Sequence, residues 1–206
     1  MPDINAVCVV AFAGLVLSAS PGPSMLYVLS RSIGQDRLAG MASAAGLAVG
    51  GFAHVLAAAA GLAAVFVYVP ALYTVTQFVG AAYLLWLGVG QLRDGGFEGQ
   101  TERVHPSPLL KVFAQGVLVE IANPKTLLFF VAFLPQFIEP ERGAVTAQML
   151  VLGALVPLTA MPSDLLIALA GGSMAQRLRR RRVFNRLLNV FGGLILIGLG
   201  LRILLA

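Results

Sequence analysis

Glu120, Asn123 and Lys125 are the residues of this chain best suited to bind charge. They stand close together in Glu120-Ile121-Ala122-Asn123-Pro124-Lys125-Thr126, inside an apolar run from Val112 to Leu134. A charged side chain at the centre of a bilayer costs about 2.5–3.5 kcal/mol on insertion scales. Pro124 has no N–H to give to the carbonyl of Glu120, so the helix is interrupted there. One turn thus gathers a carboxylate, an amide, a freed carbonyl and an ammonium. Hydrocarbon satisfies none of them, so protein or a water-filled cavity must surround them. In an unbroken helix Glu120 and Lys125 would point about 140° apart, so how they pair depends on the break.

A second group lies near the start of the chain, in Ser20-Pro21-Gly22-Pro23-Ser24. Neither proline can donate, so the carbonyls of Leu17 and Ala19 lose their helical partners. Two prolines around a glycine predict a true break, with a second half-helix beginning near Pro23. The start of a half-helix presents unpaired N–H groups and positive dipole, which suit a carboxylate. Asp164 lies well inside the apolar run 145–170 and is a functional candidate that requires a partner. Lys125 and His54 are available. An Asp164–Lys125 pair that merely holds the chain together is the structural alternative. Gly46, Gly50 and His54 recur every four residues, on one helical face. The glycines admit a close neighbour, so His54 faces protein rather than lipid. It either titrates with protons or is held by a neighbouring carbonyl.

The elements that carry these residues are apolar. The chain is 58% hydrophobic and 11% charged, with a mean hydropathy of +0.88. Ordinary globular domains carry about 25% charged residues. Six runs, 4–29, 39–66, 71–92, 112–134, 145–170 and 187–206, are each long enough to span a bilayer, which takes about 20 helical residues. The expectation is an all-α integral membrane protein with a single domain over 1–206. The basic residues cluster after the first, third and fifth runs, including Arg179 to Arg182. They read as cytoplasmic anchors rather than as a nucleic-acid surface, which puts both termini on the outer side. Ser20-Pro21-Gly22-Pro23 stands 103 residues before Asn123-Pro124-Lys125-Thr126, and Gly80 and Gly88 are spaced like Gly192 and Gly200. The reading is two inverted three-helix repeats, about 1–95 and 111–206, joined by a linker at about 96–110. Paired interruptions in inverted halves point to a transporter's binding site. The polar cavity is expected between the halves. The single Cys8 excludes a paired-thiol oxidoreductase. Ser20, Ser24 and His54 lack the surroundings of a protease nucleophile. The first run lacks the basic start of a signal peptide.

The chain resembles the LysE-type family of bacterial efflux proteins, also called threonine/homoserine resistance translocators. The resemblance rests on Ser20-Pro21-Gly22-Pro23 with Leu29-Ser30-Arg31-Ser32, on Gly46, Gly50 and His54, and on Gly80-Ala81-Ala82-Tyr83-Leu84. It continues through Asn123-Pro124-Lys125, Phe133-Leu134-Pro135-Gln136-Phe137 and Leu196-Ile197-Gly198-Leu199-Gly200-Leu201. There are two departures from the pattern. Ser24 stands where the family usually has asparagine, and Leu165 and Leu166 stand where aromatics often follow the aspartate. The resemblance implies a six-helix inner-membrane exporter of amino acids or their derivatives, driven by the proton gradient, and not an enzyme. A zwitterionic substrate needs a cationic and an anionic site close together. Lys125 or the broken helix near Pro23 can hold the carboxylate, with Pro21, Gly22, Ser24 and Asn123 beside them. Glu120 or Asp164 can hold the ammonium, and these two or His54 can carry the proton. The expected partners are an amino acid, protons and lipid, with no nucleic acid, cofactor or bound metal; a homo-oligomer is left open. The rival is a metal-cation transporter of a related fold. Such sites want clustered oxygen ligands, and Lys125 would repel the cation.

Overall fold

The structure, a computed structural model, describes residues 2–19, 22–68, 70–93 and 105–170, with scattered positions from 186 to 204. Ser20 and Pro21, most of the expected linker, the arginines at 179–182 and Gly192 lie outside the described residues. Helices make up most of the described residues, and no strand occurs among them. In order they form α1 (Ile4–Ala19), α2 (Pro23–Gly34), α3 (Arg37–Tyr68), α4 (Pro70–Arg93), α5 (Leu109–Ile121), α6 (Pro124–Leu128) and α7 (Val145–Ala170). After α6 the chain continues through one π turn, Phe129–Phe133, and a 3-10 turn, Leu134–Phe137.

Prolines stop one half-helix and start the next. α1 ends at Ala19 and α2 opens with Pro23, at an angle of 51°. α5 ends at Ile121 and α6 opens with Pro124, its continuation to Phe137 lying at 45° to α5. Proline is tolerated at a first helical position because its missing N–H would be unpaired there anyway. α7 behaves differently, since it runs unbroken over 26 residues through Pro157 and Pro162.

Among the described residues, α3 over Arg37–Gly61 and α7 are by themselves long and apolar enough to cross a membrane. The count is four if each bent pair is one span. Leu110, Trp86 and Leu166 are each at least two-thirds exposed, at 78%, 69% and 68%. A surface of that kind suits hydrocarbon rather than water.

α3 packs against α5 and α7, and α1 packs against α7. The approach of α3 to α5 needs glycine on both sides. A Cβ on Gly46 would collide with the carbonyl of Phe113, and one on Gly116 would stand 2.8 Å from the carbonyl of Ser43. Small residues let backbones come this close, and close packing is what holds helices together in lipid. Around Val10, Ala13, Val55, Met149 and Leu152 the interior is filled by Phe129, Phe130 and Phe133. The rings of Phe129 and Phe133 stand 4.6 Å apart, and those of Phe133 and Phe137 4.9 Å.

Polar contacts close both ends. Near the N-terminus Arg142 pairs with Asp3 at 3.6 Å and with Glu139 at 2.5 Å. At the other end α2 is fastened along the start of α5. Tyr27 Oη donates to the Val112 carbonyl at 2.8 Å, Arg31 to Gln115 Oε1 at 2.7 Å, and Gln35 Nε2 to the Ser107 carbonyl at 2.8 Å. The sequence suggests that Arg31 is a loop cation. It belongs instead to the last turns of α2, because helix formation from Pro23 continues to Gly34.

Candidate functional site

Each break frees a backbone carbonyl, and a side chain from the opposite half of the chain takes it. At the first break Pro21 has no N–H for the carbonyl of Leu17, and Lys125 Nζ donates to that carbonyl at 2.7 Å. At the second, Pro124 has none for the carbonyl of Glu120, and His54 Nε2 donates to it at 2.9 Å. A carbonyl only accepts, so Nε2 of His54 carries a hydrogen. The His54 ring also lies flat against Phe130, with centroids 5.7 Å apart. Of the two sequence readings for His54, its contact matches the carbonyl-bound one.

The side chain of Glu120 joins the two breaks. Ser24 Oγ, in the first turn of α2, donates to its Oε2, and Thr126 Oγ1, in α6, donates to its Oε1 at 2.8 Å. Asn123 Nδ2 donates to Ser24 Oγ at 2.8 Å. Asn123 Oδ1 also accepts the backbone N–H of Lys125 at 3.1 Å, which caps α6. Such a cap contributes about 1 kcal/mol. α2 has no equivalent. Its N-cap is Gly22, extended at φ −168°, and among the described residues no side chain caps its first turn.

One cavity opens between these elements. Gly22, Ser24, Glu120, Asn123, Lys125 and Asp164 all line it. Pro21 lies outside the described residues. Pro23 and His54 do not line the cavity: Pro23 starts α2 at the surface, and His54 sits behind the Glu120 carbonyl. The rest of the wall is mostly apolar, with Leu17, Met25, Leu47, Phe130 and Val156.

Asp164 reaches the cavity from α7 and is 7% exposed. Among the described residues no ion pair joins it to Lys125 or His54, the partners expected from sequence. Lys125 reaches toward the first break instead, because only two residues separate α5 from α6 and the first turn of α6 faces Leu17. Thr126 was visible within the 120–126 stretch, yet its role was not, because only the broken geometry brings it back to Glu120. Gly50 helps set that geometry, since a Cβ there would stand 2.6 Å from Glu120 Cβ. Among the described residues no group of three or more His, Cys, Asp or Glu is placed to hold a metal ion.

The arrangement puts an ammonium, two carboxylates and an uncapped helix start around one cavity. That is the chemistry of recognition of a small charged molecule. The family model for LysE type translocators matches residues 15–206. The chain belongs to this family. Proteins similar to it include the homoserine/homoserine lactone efflux protein of Salmonella typhimurium, 31% identical over 163 residues, 79% of this chain and 77% of that protein. The leucine efflux protein of an Enterobacter species is 28% identical over 189 residues, 89% of this chain and 87% of that one. A membrane protein of Vibrio cholerae without an assigned function is 27% identical over 198 residues, 94% of each. No solved structure matches the chain.

Proposed function

We propose that this protein exports amino acids, or small derivatives of them, from the cytoplasm across the inner membrane in exchange for protons. The observation that carries this reading is the cavity in which both helix breaks meet. A buried ammonium and a buried aspartate line it together, in a chain whose relatives include efflux proteins named for homoserine and leucine. The zwitterion's carboxylate is held by Lys125 or the uncapped start of α2, near Gly22 and Ser24. Its ammonium is held by a carboxylate of the cavity. The apolar remainder of the wall suits an uncharged side chain.

The architecture that fits this activity is six spans in two inverted repeats, about 1–95 and 111–206, with both termini periplasmic. Two observations support it. The interruptions in α1–α2 and α5–α6 are alike, and Asp3 meets Arg142 at one end while Arg31 meets Gln115 at the other. Reporter fusions after Gly99 and after Arg182 should read cytoplasmic, and a periplasmic signal at either position rules out this orientation.

The transport test uses inverted vesicles, in which export appears as uptake. Vesicles with an acidic lumen should take up labelled leucine or homoserine above protein-free vesicles, and a protonophore should abolish the uptake. Absence of uptake across a panel of labelled amino acids would overturn the reading.

A further inference from the structure

We infer that the two cavity carboxylates have separate tasks: Asp164 receives the ammonium of the substrate, whereas Glu120 is a positioning residue that holds the two helix breaks together. The inference rests on the proposed amino-acid export and assigns one step of it.

The two groups differ in what already occupies their oxygens. Both oxygens of Glu120 accept hydroxyl hydrogen bonds, one from Ser24 on α2 and one from Thr126 on α6. Its backbone carbonyl is taken as well, by His54 and by the N–H of Asn123 at 3.0 Å. Glu120 thus links α2, α3, α5 and α6 at one point. A substrate ammonium that claimed it would displace hydroxyls that fix the geometry of both breaks.

Asp164 is the opposite case. Among the described residues it makes no hydrogen bond and no ion pair, and yet it is 7% exposed. A buried carboxylate without donors is costly, and in a membrane span it marks a place where something else binds. Its neighbours on α7 do not supply donors. The Ser163 hydroxyl is engaged with the Ala160 carbonyl at 2.7 Å and lies 2.8 Å from Ser18 Oγ. Asp164 faces the same cavity as Lys125. The ammonium of an amino acid brings three donors and a positive charge, which is what Asp164 lacks. The carboxylate of that amino acid is then left to the Lys125 side of the cavity.

The test is binding of matched ligand pairs to the full-length protein in lipid nanodiscs. The pairs are leucine with 4-methylpentanoate and homoserine with 4-hydroxybutanoate, which differ in the ammonium alone. The wild type should prefer the amino acid of at least one pair by about 10- to 100-fold, the range expected of a charged hydrogen-bonded contact. Asp164→Asn should bring that preference to about one while keeping affinity for the deaminated acid. Glu120→Gln keeps an acceptor for one hydroxyl and should retain the preference, with a lower unfolding temperature and weaker binding of both members. Thermal unfolding of each variant in the nanodisc establishes that it is folded. Asp164→Glu, which keeps the charge, covers the case in which Asp164→Asn does not fold, and it should retain the preference for the amino acid. A preference that survives in Asp164→Asn, or that disappears in Glu120→Gln, overturns the assignment. If the wild type binds neither amino acid, the exporter reading fails first and this inference fails with it.

Discussion

The two helix breaks solve the same problem with different completeness. The second is closed largely by its own sequence: Asn123 caps α6 and its N–H donates to the Glu120 carbonyl, with His54 Nε2 on α3 as a second donor. The first leans on the rest of the protein. Gly22 supplies no cap, and the Leu17 carbonyl is held by a lysine from 108 residues away. Under the proposed function, the difference separates a scaffold from a receptor. A capped helix start has little left to offer a ligand, while an uncapped one keeps N–H groups and dipole for an anion. Asparagine at one break and glycine at the other is the residue-level form of that contrast.

Four substitutions sharpen or break the comparison. Lys125→Met should have the largest effect. It removes the cationic group of the cavity and orphans the Leu17 carbonyl, so export should be lost and stability should fall by about 2 kcal/mol. Transport assays and thermal unfolding read the two effects, and undiminished export would mean that the first break is no receptor. Combining it with Asp164→Leu removes both buried charges, which often restores stability. Normal membrane levels without export are expected of that double variant; normal levels with export intact would make the charges structural.

Asn123→Ala comes next. It deletes the α6 cap and a donor to Ser24, for a loss of about 1–2 kcal/mol. Because the cap is scaffold, transport by the surviving folded protein should fall less than stability does; a selective collapse of transport would erase the contrast between the breaks. His54→Phe should cost less again, about 1 kcal/mol, because the Glu120 carbonyl retains the Asn123 N–H. If this variant is as damaging as Lys125→Met, the second break is no better closed than the first. The smallest change is expected from Gly22→Ser. Its extended backbone is open to any residue, so serine should cap α2 and add a few tenths of a kcal/mol. It should also weaken substrate binding by occupying the N–H groups meant for the anion, and a variant with unchanged affinity would argue against α2 as a carboxylate site.

Both breaks could be read from sequence because the cause is local. Proline lacks a donor whatever surrounds it, and the glycine spacing fixed the packed face of α3 and therefore of His54. What could not be read is where each orphaned group finds its partner. The 3.6-residue period gives the direction of a side chain on a continuous helix, and Lys125 lies just past the point where that helix stops. Its contact with Leu17 and the absence of an ion pair to Asp164 both follow from the 45° turn, which no local pattern specifies. α7 makes the same point from the other side. Pro157 and Pro162 lack donors just as Pro21 and Pro124 do, yet the helix passes through them. The π turn at Phe129–Phe133 and the fastening of α2 to α5 through Tyr27, Arg31 and Gln35 likewise depend on neighbours distant in sequence.

The lysine that holds the Leu17 carbonyl also dictates a schedule. Chains emerge from the ribosome at roughly 5–20 residues per second, so the 108 residues between the two partners take roughly 5–20 seconds to appear. During that interval the nascent first half already contains its proline break and has no lysine to satisfy it. Its open carbonyl must stay beside water, the headgroup layer or the insertion machinery until α6 arrives. The early helices should therefore stay unlocked until Lys125 is delivered, late in synthesis.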